Sequence, residues 1–202
     1  MPDRWARLSS YLDPMKRRTF LLSSMATAVV TATANARDLM PVAEGKGFKV
    51  AAGESRTGEH IHMMGVTANV LDVKISSGDT DGRLSVLEQI GHTPKGGPPL
   101  HIHPHQDELF YVVEGDYQFQ VGEERFELTT GDTIFLPRGV PHAFAQRTEA
   151  ARMIVTYQPS GKMEAFFRRT AEFTSPPTPQ EVAAVFAEHD MTVVGPPLTL
   201  ER

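Results

Sequence analysis

Three histidines and one glutamate between positions 101 and 142 have the types and the spacing of a metal site. His101 and His103 stand two apart, and side chains alternate faces along a strand, so both imidazoles point the same way. Glu108 follows after a short bend and adds a carboxylate. His142 lies 41 residues beyond His101 and joins the group only if a sheet folds back to set the two segments side by side. Neutral imidazoles with one carboxylate suit a divalent Fe, Mn, Ni, Cu, Co or Zn ion and leave positions open for water or substrate. The chain has no cysteine, which excludes disulfides, thiolate ligands and cysteine nucleophiles.

The residues around these four are patterned as well. The first segment, 96–115, holds Gly96, His101, His103, Glu108 and Gly115; the second, 131–146, holds Gly131, Pro137, Gly139, His142 and Gln146. In this order and spacing they resemble the two motifs of the cupin superfamily. Two departures stand out: the leading glycine is displaced by one position, and Gln146 replaces the asparagine that ends the second motif. The likeness is close over these segments and looser across 47–195, where the layout is similar to that of single-domain quercetin-dioxygenase-like cupins. It implies an all-β fold, a cupin antiparallel β-barrel or jelly roll, with His101, His103, Glu108 and His142 holding one divalent transition metal.

That resemblance also implies a function: a metal-dependent dioxygenase acting on a flavonol-like, phenolic or enolic small molecule, with Glu108 as the catalytic base that removes a substrate hydroxyl proton. The same ligand set serves other metal-dependent cupin enzymes (isomerases, decarboxylases, lyases) and non-catalytic metal- or ligand-binding cupins, so both alternatives stay open. Strand parity proposes the walls of the substrate pocket. With Glu108 facing inward, Phe110 and Val112 follow it, and His142 carries Phe144 and Gln146 to its own side.

Neighbouring histidines compete for the same role. His105 forms a second His-x-His with His103, but only two residues then precede Glu108, too few for the turn, so His105 is read as a loop residue or a hydrogen-bond partner of a ligand. His60 and His62 have no downstream Glu and are read as part of an exposed strand in preference to a lid or accessory ligand. Asp132 is read as a turn-forming side chain, and Gly115 as the permissive residue of a tight hairpin.

The elements that must position the site read as short strands followed by helices. Apolar or alternating runs at 70–75, 84–88, 108–113, 117–121, 126–129, 133–136, 143–147 and 153–157 are separated by turn residues. The segment 161–190 is helical. Met163, Phe166 and Phe167 recur at helical spacing, and Thr178-Pro179-Gln180-Glu181 is a capping box opening a helix whose Val182, Val185, Phe186 and His189 share a face. Open sheet edges and these amphipathic stretches, together with the cupin resemblance, imply a homodimer in which the helices cover a neighbour or the barrel's own flank.

At the amino terminus, Arg17-Arg18 precede a modestly apolar run that ends in Ala34-Asn35-Ala36. This is the pattern of a twin-arginine export signal over 1–36, cleaved before Arg37, which would place the mature chain in the periplasm or outside the cell. Met15 offers an alternative start that leaves 1–14 untranslated. The apolar run is shorter than the roughly 20 residues a bilayer span needs, so no stable membrane insertion is expected after cleavage. The remaining 166 residues, 37–202, suffice for a single cupin domain. Five of the 20 basic and two of the 25 acidic residues fall in the signal, so the mature chain has net charge −8, which disfavours nucleic acid as a partner.

Overall fold

The structure is a computed structural model that describes residues 46–63, 69–92 and 94–200. The expected signal segment lies outside the described residues. In chain order the elements are β1 (His60–His62), β2 (Asn69–Ile75), β3 (Ser85–Gly91), β4 (Lys95–Gly96), β5 (Pro99–Ile102), β6 (Asp107–Glu114), β7 (Tyr117–Val121), β8 (Glu124–Leu128), β9 (Thr133–Leu136), β10 (His142–Gln146), β11 (Ala151–Gln158), α1 (Met163–Ala171), α2 (Pro179–Glu188) and β12 (Thr192–Pro197). The strands form two antiparallel sheets. One runs β1-β2-β3-β11-β6-β9 and the other β12-β5-β10-β7-β8, with β4 also paired to β10. The all-β reading with two C-terminal helices therefore holds.

Alternation explains where the core lies. On β11, Ala151, Met153, Val155 and Tyr157 are buried while the residues between them are partly exposed; on β6, Glu108, Phe110 and Val112 are buried while Leu109 and Tyr111 are exposed. The inward rows of both sheets meet in one aromatic cluster, with Phe119 at 5.2 Å from Phe110 and 5.4 Å from Phe144 between ring centres. β10 breaks the alternation because all five of its residues are buried. Its outward residues are Ala143 and Ala145, small enough for Leu198 to close over them from the C-terminal tail.

The turns follow their chemistry. Gly115 has φ +82°, and a Cβ there would stand 2.4 Å from Thr148 Oγ1, so only glycine fits this hairpin. Asp132 accepts from Thr129 N at 2.8 Å, the turn-stabilising role expected of it.

Both helices pack on their own barrel. Thr178 accepts from Glu181 N at 3.2 Å while Glu181 accepts from Thr178 N at 2.7 Å, so the capping box starts α2 as read. Glu164 of α1 accepts from Ser77 N at 2.6 Å, which ties that helix to the turn between β2 and β3. The chain thereby buries Phe166, Phe167 and Phe186 to 4%, 6% and 1% exposure. At about 1.5–3 kcal/mol for each large apolar side chain buried, they fix the helices over the barrel mouth. Three of the six large apolar side chains exposed among the described residues, Leu109 and Tyr111 on β6 and Phe135 on β9, form a strip on the outer face of the first sheet, where Leu109 and Phe135 are cross-strand neighbours.

Candidate metal centre

Each sheet contributes part of the site. His101 lies on β5 and His142 on β10, directly opposite one another in register, while Glu108 lies on β6 of the facing sheet. His103 comes one residue after β5 ends. The fold-back required for His142 is thus the β5–β10 pairing. One donor atom from each of the four residues lies within 4.8 Å of the others, and all four side chains are buried.

The outer nitrogen of each imidazole is already engaged. His101 Nδ1 donates to Pro99 O at 2.8 Å, His142 Nδ1 to Val140 O at 3.0 Å and His103 Nδ1 to the Gln106 side-chain oxygen at 3.2 Å. Since those acceptors fix the proton on Nδ1, each Nε2 lone pair is turned into the centre, the arrangement metal-bound histidines use. There His101 Nε2 and His103 Nε2 stand 3.1 Å apart, and Glu108 Oε1 lies 2.9 Å from His103 Nε2 and 3.2 Å from His142 Nε2. Proximity does not satisfy them all, because Glu108 Oε1 and His142 Nε2 lack an aligned hydrogen-bond partner. Buried lone pairs converging without enough protons between them are what a cation relieves, so the residues fit a divalent ion.

The electrostatics agree. Burial drives the His101 pKa down to about 3, helped by His142 and His103, so its imidazole is neutral and free to ligate. Burial opposes ionisation of Glu108, yet the adjacent His103 and His142 rings outweigh it and hold the carboxyl well below its usual range. Burial also opposes protonation of His103, but the nearby Glu108 charge raises its pKa overall.

The centre opens onto a chamber walled by Met163, Phe166, Phe167, Phe186, Met191 and Met63, in addition to Phe110, Phe144, Tyr157 and Gln89. Phe186 meets His101 edge to face at 5.0 Å. Space for the centres of water-sized molecules amounts to about 40 Å³, well below the roughly 300–1,000 Å³ of typical ligand pockets.

Phe110 and Phe144, proposed from strand parity, line this chamber. Val112 and Gln146 are buried but do not line this chamber. Val112 is packed in the core, and the Gln146 amide donates to Thr148 O at 2.8 Å. Strand parity assigns a residue to a face but does not say which residues of that face reach the chamber. His105 is exposed and outside the ligand group, as are His60 and His62; His60 instead contacts Asp72 at 2.6 Å.

Sequence reasoning missed Gln106, whose amide donates to Ser160 O at 2.8 Å and so presents its oxygen to His103. Its place between His103 and Glu108 was the available signal. The chamber walls supplied by α1, α2, Met63 and Met191 were also missed, since they come from remote segments with no motif.

Comparison with known proteins agrees with this geometry. Residues 92–157 match the model of the cupin domain. An uncharacterized protein of Streptomyces coelicolor is 37% identical over 57 residues, which cover 28% of this chain and 54% of that protein. The quercetin 2,3-dioxygenase of Bacillus subtilis is 31% identical over 56 residues, 28% of this chain and 17% of that enzyme. The chain thus spans about half or less of the length of these relatives. Among solved structures, an RmlC-like cupin from Shewanella frigidimarina is similar over 59% of this chain and 96% of its own, with 19% identity and a TM-score of 0.46. The stretch that supplies all four candidate ligands lies within the residues, 92–157, that match the cupin-domain model.

Proposed function

We propose that this protein is a metal-dependent dioxygenase of small phenolic or enolic compounds, exported through a twin-arginine-type signal and assembled as a homodimer. The observation that carries the reading is the position of three imidazoles and one carboxylate in the wall of an apolar chamber. A flavonol of three rings exceeds the chamber's size, so within the flavonol-like, phenolic or enolic class the fit favours one-ring or shorter substrates.

His101, His103, His142 and Glu108 would hold the ion, which supplies the positive charge that acidifies a substrate hydroxyl and an open position for its oxygen. The chain's own groups do the rest. Glu108, kept ionised beside His103 and His142, accepts the hydroxyl proton. The rings of Phe110, Phe144, Phe166 and Phe186 orient a planar substrate and exclude water, which strengthens every charge interaction inside.

The test is elemental analysis of protein isolated from its native compartment, followed by oxygen uptake with a panel of phenols and enols. Oxygen consumed in step with substrate loss is the expected result. Turnover without oxygen consumption would make the protein an isomerase, decarboxylase or lyase on the same ligands, and metal without any turnover would make it a binding protein.

A further inference from the structure

Gln89 is a polar chamber residue that metal binding leaves without a task. It lies within β3, paired with Leu71 of β2 and Met153 of β11, and is 4% exposed. Its side chain lines the chamber beside Met63, Phe110 and Phe144, yet its Nε2 has no hydrogen-bond partner among the described residues. An unpaired buried amide is unfavourable, whereas a partner supplied by a ligand removes the penalty and converts it into affinity and selectivity.

We propose that Gln89 is a specificity-determining residue whose amide N–H donates to an oxygen of the substrate remote from the oxygen that approaches the metal. This deepens the proposed function and rests on it. Along β11, Gln89 is level with Met153 whereas Glu108 is level with Tyr157, four residues away. The two therefore project from different levels and different strands of the same sheet, on either side of β11. The ligand class is therefore a phenol or enol with its acidic hydroxyl at one end and a carbonyl, carboxyl or nitro oxygen across the ring. A neutral N–H donor selects for such an acceptor and against an alkyl group of similar size.

The experiment compares wild type with Gln89→Met, both loaded with cobalt(II), by spectroscopic titration with 4-nitrocatechol and 4-ethylcatechol and by thermal melting. Gln89→Met should keep its metal, bind 4-nitrocatechol about tenfold more weakly, as expected for one buried hydrogen bond, and bind 4-ethylcatechol unchanged. Its melting temperature should equal or exceed that of wild type, because an unpaired amide has been replaced by an apolar side chain. Equal losses for both catechols, or no loss for either, would overturn the assignment. If neither catechol binds wild type, the phenolic reading fails separately, and melting still judges Gln89: a fall of several degrees in Gln89→Met would mark a structural residue and refute the proposal.

Discussion

Replacing Gln106 with leucine removes the acceptor that holds the His103 proton on Nδ1 while keeping the side chain's approximate shape. In the native arrangement the Gln106 oxygen stands 3.2 Å from His103 Nδ1 and its amide donates to Ser160 O at 2.8 Å, with both residues buried. Without the acceptor, His103 is free to carry its proton on Nε2, where a lone pair must face the ion. Loss of such a hydrogen-bond partner weakens metal affinity by about 10–100-fold, or roughly 1.4–2.7 kcal/mol. A second effect accompanies it. Ser160 O loses its donor, which costs about 1–3 kcal/mol in a buried site and lowers the melting temperature of a chain this size by roughly 2–4 °C per kcal/mol. Gln106→Glu separates the two, since it keeps an acceptor for His103 but also loses the donation to Ser160. Competition of the metal-free proteins with a chromogenic chelator for Zn²⁺ or Co²⁺ gives the affinities. Both variants should melt lower, and only the leucine variant should lose affinity strongly. Equal losses of affinity would place the cause at Ser160, and a leucine variant that binds metal like wild type would refute the orientation argument altogether.

Four further outcomes follow from the same geometry. His101→Ala, His103→Ala and His142→Ala should each remove most bound metal, whereas His105→Ala, at an exposed position, should keep it; elemental analysis decides, and the reverse pattern would show the ligand register to be wrong. Glu108→Gln should retain part of the metal while turnover falls by roughly a hundredfold or more, the range of general-base loss; unchanged turnover would leave Glu108 a ligand alone. Replacing Arg17 and Arg18 by Lys should hold the precursor in the cytoplasm, whereas wild type should yield a mature chain beginning at Arg37; normal export of the variant would point to the general secretory route. The strip of Leu109, Tyr111 and Phe135, exposed by 41%, 43% and 57%, is the surface on which we place the dimer, so Phe135→Glu should halve the mass seen by light scattering; a wild-type mass equal to one chain would refute the dimer.

What the chain disclosed in advance divides along a physical line. The candidate ligand cluster was legible because metal chemistry restricts residue types and strand parity restricts spacing: His101 and His103 had to share a face, and only sheet pairing could bring in His142, as the β5–β10 register does. The central strands were legible for a similar reason, since alternation is local. β12 was not, because Gly195, Pro196 and Pro197 are strand-poor residues and their pairing with β5 is a tertiary outcome. Gly97 shows the same limit on a smaller scale: a Cβ there would stand 1.8 Å from Phe144 O, a close approach that exists only once β10 has folded against this segment. The chamber depends most on such distant meetings. Phe186 reaches His101 from a helix 85 residues along the chain, and its apolar periodicity states that it will be buried but not against what. Sequence therefore discloses the chemistry a site can perform before it discloses the walls that choose the substrate, since ligation is set by a few residue types and the walls by how the whole barrel closes.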